Sequence, residues 1–359
     1  MIINKIKLNN FRNYENMEIE LSSKCNIFYG ENAQGKTNLL ESVYVASIGK
    51  SFRANKEVEL IKFDKEYLRL NVNFSNGQRE SNEIDYFLDR NSKKQIKDNG
   101  FVCTKIGEHF GKLNIVSFFP DDLTIVPGPG SKRRKYIDMM ISQISKMYLE
   151  TLQNYNKYLK IKNTMLKNSQ TIDETYLDII DQSLAKHIEY ICKSRKKIIS
   201  KLEPIIKKIH LEITCNSENL DIEYVTEFEN LNTNQIIAKL KAQRSKDIFR
   251  KVSTIGIQKD DFEIKINKVA REFFSQGQKR TVVLSLKLAE FELIKTLKSE
   301  NPIILLDDVF SELDDSRINY LLKYISEYQS IITTNEKSRI KIRDIKYFCI
   351  NEGKLILEK

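Results

Sequence analysis

The feature that most constrains the fold is the segment Gly30-Glu31-Asn32-Ala33-Gln34-Gly35-Lys36-Thr37. It satisfies the pattern G-x-x-x-x-G-K-[ST], and its flanks are those the pattern needs: an apolar run from Cys25 to Tyr29 before it and helical spacing from Asn38 to Ile48 after it. A buried strand, a glycine-rich turn and a helix must therefore follow one another. The glycines let the backbone curl until its N–H groups point inward at phosphate oxygens. Lys36 supplies a point charge to the β and γ phosphates of a nucleotide, and the Thr37 hydroxyl is a ligand for Mg²⁺.

A phosphate loop of this kind works with a carboxylate at the end of a neighbouring buried strand. Pro302-Ile303-Ile304-Leu305-Leu306-Asp307-Asp308 supplies two. Asp307 is placed to hold the Mg²⁺ through water, and Asp308 to polarise an attacking water. Asp308 is one methylene shorter than a glutamate, so slow hydrolysis is expected. Farther on, Ile331-Ile332-Thr333-Thr334-Asn335 offers hydroxyls and an amide but no imidazole, and Thr333 is a candidate for orienting the γ phosphate.

The chain has 359 residues, enough for two domains or for one with an insertion. Alternating apolar and polar residues at Ile2 to Leu8, Met17 to Leu21, Leu68 to Phe74 and Glu83 to Leu88 predict an antiparallel sheet around the first helix. After Pro127-Gly128-Pro129-Gly130 the period changes. Apolar residues step by three and four from Ile137 to Leu159, predicting one long helix over Lys132 to Leu166. A second run spans Asp173 to Ile209, with Pro204 expected to kink or divide it, and the polar stretch Lys167 to Thr171 forms the bend of a helical hairpin. The expected organisation is an ATPase part over residues 1–125, an inserted helical arm over 126–218, and the rest of the ATPase over 219–359.

Lysine and arginine total 59 against 49 aspartates and glutamates, a net charge of +10, which suits a polyanionic partner but is also what an AT-rich coding sequence produces. Two basic clusters stand out on the arm, Lys132, Arg133, Arg134 and Lys135, and Lys193, Arg195, Lys196 and Lys197. Either they contact DNA phosphates or they are solvated helix faces. Five scattered cysteines and three separated histidines suggest neither a disulfide framework nor a zinc site. No apolar run approaches a membrane span, so a cytoplasmic location is expected.

Phe274-Ser275-Gln276-Gly277-Gln278 lies between the phosphate loop and the Asp307 strand, and Ser311-Glu312-Leu313-Asp314 follows that strand. This order resembles the ATP-binding-cassette ATPases. Within that class the chain resembles the RecF family of bacterial recombinational-repair proteins, nearly end to end. The resemblance rests on Leu8 to Tyr14, Asn38 to Ser42, Gly49 to Arg53, Phe119 to Leu123, Ser131 to Asp138, Gly256 to Asp261, Leu288-Ala289-Glu290 and Leu306 to Asp314. The short arm separates it from SMC proteins, whose coiled coils are far longer. Gln258-Lys259, Lys162-Asn163 and Lys279 depart from the residues usual in the family.

The resemblance implies an α/β fold, an ABC-type ATPase head of mixed sheet and helices carrying the helical arm as a lid. It implies that Ser275, Gln276, Gly277 and Gln278 complete the site of a second copy across an ATP-driven homodimer, with Ser311, Glu312, Leu313 and Asp314 as its D-loop. Arg12 and Asn13 either reach the nucleotide of their own chain or form a solvated turn. The function implied is recombinational repair and replication restart: binding duplex DNA near a single-stranded gap and helping RecO and RecR load RecA, with weak DNA-stimulated ATP hydrolysis as a switch. Alternatives are the ATPase of an OLD-like nuclease system, a transporter ATPase subunit and a small-molecule phosphoryl-transfer enzyme. The first lacks an acidic nuclease segment after Asp314, and the others give S-x-G-Q or the arm no role.

Overall fold

The alternation at the start of the chain produces β1 (Ile2–Phe11), paired antiparallel with β2 (Tyr14–Glu20). The apolar run before the phosphate loop is β3 (Cys25–Tyr29), and the loop opens α1 (Lys36–Ile48). Then come β4 (Tyr67–Ser75), β5 (Asn82–Asp89), β6 (Lys94–Asp98) and β7 (Phe101–Val102), which complete an antiparallel sheet ordered β2-β1-β4-β5-β6-β7. A register shift between Ile3 and Lys5 lets both Ile3 and Ile6 keep to the buried face, with Leu70, Val72 and Ile84. A short α2 (Ile106–His109) leads to β8 (Ile115–Phe118). This is a computed structural model, and it describes residues 1–168, 173–311, 313–335 and 344–356. The chain divides into two units, Met1–Leu123 with Arg280–Lys359, and Thr124–Lys279.

The second unit opens with α3 (Gly130–Ile144) and α4 (Lys146–Asn168), so the single helix expected over 132–166 is divided. The break is Ser145, whose extended backbone ends α3 and whose Oγ accepts the Tyr148 N–H at 3.2 Å to start α4. The hairpin bend falls partly on residues 169–172, outside the described residues. α5 (Glu174–Ile213) starts at the Asp173 cap, whose carboxylate accepts the N–H groups of Thr175 and Tyr176. It runs unbroken through Pro204, because Pro204 and Ser200, four residues before it, both lie exposed and water can take the carbonyl that proline leaves unbonded. Next come β9 (Leu220–Val225), α6 (Thr233–Ala242), α7 (Arg244–Arg250), β10 (Asp261–Ile266) and β11 (Val269–Ala270). β9 packs on α5 and pairs with β10, and this is why the unit runs to Lys279 and not to the expected residue 218.

α8 (Gln276–Lys298) leaves the second unit and returns the chain to the first. There follow β12 (Ile303–Asp307), α9 (Asp315–Glu327), β13 (Ser330–Thr334), β14 (Ile345–Asn351) and β15 (Lys354–Ile356). They join earlier strands in a sheet ordered β15-β14-β3-β13-β12-β8, parallel except for β15. α1 touches strands of both sheets of its unit, β1, β4 and β5 on one side and β8, β12 and β13 on the other. Every residue from Leu39 to Ile48 is therefore buried, as a helix enclosed on all sides requires. Among the described residues no helix is long and apolar enough to cross a membrane.

Candidate nucleotide site and basic clusters

The phosphate loop bends through left-handed backbone at Ala33 (φ 65°) and Gly35 (φ 113°). Gly35 stands at the N-cap of α1 and no side chain caps that end, so the N–H groups of its first turn open towards the loop. A Cβ on Gly35 would collide with the Asn13 amide. Asn13 braces the loop from outside, donating from Nδ2 to the Gln34 carbonyl at 2.9 Å and accepting from Asn38 at 2.7 Å. Tyr14 donates its hydroxyl to the Gly35 carbonyl at 2.8 Å, and the β14–β15 turn adds bonds from Glu352 N and Gly353 N to Gln34. Glu31, Asn32 and Ala33 remain exposed at the tip.

Within this cradle the Lys36 ammonium donates to the carbonyls of Gly30 (2.6 Å) and Glu31 (2.7 Å) and to Asn335 Oδ1 (2.7 Å). Burial holds its pKa below the usual lysine value, against the upward pull of Asp308 and Asp307. Three neutral oxygens around a partly dehydrated ammonium leave it a strong electrostatic partner for a phosphate. Thr37 donates its hydroxyl to Asp307 Oδ1 at 2.9 Å. A hydroxyl and a carboxylate oxygen side by side are the donors a hard divalent cation takes, with water filling the rest of its shell. β13 lies between β3 and β12, so the carboxylate strand is one removed from the loop strand.

Thr333 is buried, and its hydroxyl donates to Asp307 Oδ1 at 2.6 Å and accepts from Asp308 N at 3.2 Å, so it orients the Asp307 carboxylate. Asn335, two residues on, is the amide of that segment, and it is this side chain that meets Lys36. Asp308 adopts left-handed backbone (φ 50°), and its carbonyl accepts the Ser311 hydroxyl at 2.7 Å. Of the remaining D-loop residues, Leu313 is buried and Asp314 caps α9 through Arg317 N, while Glu312 lies outside the described residues.

Arg12 turns its guanidinium to the fully buried Glu41 of α1, donating through Nε (2.9 Å) and Nη2 (2.8 Å), and to the Glu59 carbonyl, while its side chain keeps 20% exposure. Arg53 Nη2 and the Ser51 hydroxyl complete the Glu41 shell at 2.8 and 2.6 Å. Burial raises the Glu41 pKa, but these partners pull it down further and leave it below the usual carboxylate value. Two other segments of the resemblance meet through Lys287, whose ammonium lies 3.3 Å from Asp122 and 3.7 Å from Glu290. Burial pushes Glu290 up to about 7.

In the second unit the S-x-G-Q segment forms a reciprocal helix cap. Ser275 Oγ accepts from Gln278 N at 3.2 Å, and Gln278 Oε1 accepts from Ser275 N at 2.9 Å. Ser275 and Gln276 are exposed, and Gly277 and Gln278 half-buried.

The basic clusters divide. Arg133, 1% exposed, makes a two-pronged pair with Asp261 at 2.7 Å on each prong and donates to the carbonyls of Ile125, Val126 and Gly128. Arg195, 3% exposed, joins Asp138 and Asp260 and donates to the Ile257 carbonyl. Neither can reach a phosphate, and both are removed from the candidates for DNA binding. Arg134 donates to the Asp260 carbonyl at 2.6 Å. Lys135 and Lys197 are exposed and Lys132 half-buried; Lys193 and Lys196, also exposed, pair with Glu189 and Glu229.

A phosphate loop on a parallel strand, an aspartate pair in the same sheet, an antiparallel sheet across α1 and an S-x-G-Q helix start make this an ABC-type P-loop ATPase head with an inserted helical unit. The family model described as the RecF/RecN/SMC N-terminal domain matches residues 2–347. The DNA replication and repair protein RecF of Clostridium botulinum (strain ATCC 19397 / Type A) is 43% identical over 364 residues, 99% of each chain. That of Clostridioides difficile (strain 630) is 42% identical over 367 residues, 99% of this chain and 98% of its own. A solved structure of the recombination mediator protein RecF with ATPrS, in the RecFOR pathway, is 36% identical with a TM-score of 0.92, covering 98% of this chain and 97% of that one. An SMC head bound to the C-terminal winged-helix domain of ScpA, at 16% identity and a TM-score of 0.59, shares the fold. The chain belongs to the RecF family of DNA replication and repair proteins, within the RecF/RecN/SMC group.

Proposed function

We propose that this protein is an ATP-switched DNA-binding protein of recombinational repair and replication restart. ATP with Mg²⁺ binds at Lys36, Thr37 and Asp307, and joins two copies head to tail through Ser275 to Gln278 of the second copy. The observation that carries this reading is the pairing of an uncapped α1 N-terminus and Lys36 with a capped, exposed Ser275 on a different helix start. Ser275 Oγ accepts from the Gln278 N–H, which leaves its proton to donate outward to a phosphate. Bound ATP supplies the phosphate charge that both helix starts attract. Asp307 is oriented by two hydroxyls, and Asp308, beyond it, is the residue for polarising water. Lys132, Lys135, Lys193, Lys196 and Lys197 contact duplex DNA near a single-stranded gap, with RecO and RecR as partners in RecA loading.

Light scattering with and without ATP tests the reading. Lys36→Ala should lose nucleotide binding and dimerisation together, whereas Ser275→Arg should bind ATP and stay monomeric. A Ser275→Arg chain that dimerises with ATP as wild type does would remove the trans site.

A further inference from the structure

Gln278 has a third bond that the helix cap does not need. Its Nε2 donates to Glu218 Oε1 at 2.9 Å, while the other oxygen of that carboxylate lies 3.2 Å from Nε2 of His210. His210 is fully buried in the last turn of α5. The chain can fold back there because Cys215 and Asn216 take left-handed backbone (φ 50° and 62°), with Asn216 N bonded to the Leu211 carbonyl. Glu218 thus arrives beside the helix it has just left and reaches across to the start of α8.

We propose that Glu218 is a positioning residue for the S-x-G-Q segment, holding the Gln278 amide in the orientation that sets Ser275 for the nucleotide of a second copy. The inference rests on the trans reading above. A glutamine amide can rotate by half a turn, presenting N–H₂ where its carbonyl was. In that orientation Oε1 no longer accepts from Ser275 N, and the reciprocal cap is lost. A carboxylate accepts and cannot donate, so Glu218 permits one orientation only. His210, immobilised by burial, fixes the carboxylate in turn. The Ser275 hydroxyl is therefore referenced to the α5 end through three side chains, all within the second unit.

The test measures ATP-driven dimerisation of the full chain and, separately, ATP binding by the monomer at the Lys36 site. Glu218→Ala should bind ATP in the monomer with wild-type affinity but need roughly tenfold more ATP to reach half dimerisation, the scale of one lost charge-assisted hydrogen bond. Glu218→Gln can donate as well as accept, so it no longer excludes the rotated Gln278 amide and should also need more ATP to reach half dimerisation, by less than Glu218→Ala. Because Glu218 acts through Gln278, the double variant Glu218→Ala, Gln278→Ala should dimerise no worse than Gln278→Ala alone. Wild-type dimerisation of Glu218→Ala, or additive losses in the double variant, would overturn the proposal. If the Glu218→Ala chain does not fold, Gln278→Ala and Glu218→Gln probe the same bond, and a Glu218→Gln chain that folds and dimerises with the ATP dependence of wild type rejects it. Ser275→Arg is run alongside: if it dimerises normally the trans reading has failed, and if it stays monomeric while Glu218→Ala dimerises normally only the positioning role has failed.

Discussion

Arg133→Met separates what the charge pattern suggests from what the structure does with it. The guanidinium spends itself on five oxygens, both of Asp261 and three carbonyls, at 2.7 to 3.2 Å. Methionine fills much of the volume and restores none of these bonds. Breaking a buried pair costs about 3–5 kcal/mol. Here the lower end applies, because the Asp261 side chain keeps 27% exposure and has Arg271 at 3.6 Å, so water and a second cation remain to it. At about 2–4 °C per kcal/mol for a unit of this size, that is a fall of roughly 6–12 °C in the melting temperature, read by circular dichroism or calorimetry. Lys135→Ala, at an exposed position, should change stability by less than about 0.5 kcal/mol. The DNA assay runs the other way. In a plot of log affinity against log salt, Lys135→Ala should flatten the slope by about 0.9 for each DNA phosphate the side chain had neutralised, and Arg133→Met, measured well below its melting point, should not. An Arg133→Met chain that melts with wild type and binds DNA with a flattened slope would refute the assignment of Arg133 to the interior.

Asp308→Asn should still bind ATP and dimerise but stop hydrolysis, trapping the dimer; unchanged turnover by phosphate release would move the water-polarising role elsewhere. Glu41→Gln should flatten the acid side of the stability curve. The folded pKa of Glu41 is depressed, so its contribution is present above about pH 4.3 and is lost as pH falls through the lower folded value. His109 acts at higher pH. Burial lowers it to about 4, so the unfolded chain takes up a proton first and stability is lost as pH falls from about 6.5 towards 4, by up to about 3 kcal/mol. Urea titrations of His109→Leu across that range should show the slope removed. Gly35→Ala should abolish nucleotide binding, because φ 113° and the Asn13 amide both oppose a Cβ there.

The phosphate loop was legible because its chemistry is local: eight consecutive residues carry the turn, the charge and the hydroxyl, and the strand and helix beside them are set by neighbouring periodicity. The break at Ser145 was not legible, since Ile141, Ile144 and Tyr148 keep a helical step across it and periodicity does not register a hydroxyl that caps a new helix. What surrounds the loop also lay beyond reading. Asn335 reaches Lys36 only because β13 lies beside β3, a neighbour relation made by residues about 300 positions apart.

Arginine and lysine parted for a physical reason. A run such as Lys132-Arg133-Arg134-Lys135 presents four similar charges, but on a helix the side chain between two outward-facing ones can face the core. Arginine tolerates that position because its planar fork spreads its donors over three nitrogens, and here each of the three finds an oxygen. The same holds for Arg195 between Lys193 and Lys196-Lys197, where the arginine finds Asp138 and Asp260 and the lysines face water or a surface carboxylate. The partner carboxylates lie 57 to 128 residues away, so neither pair is visible along the chain. The lysines that remain at the surface form the smaller set open to the proposed DNA contact, and five single Lys→Ala variants, each scored by salt slope and by melting temperature, would show which of them touch phosphate. A lysine whose loss moves neither quantity belongs only to the solvated face.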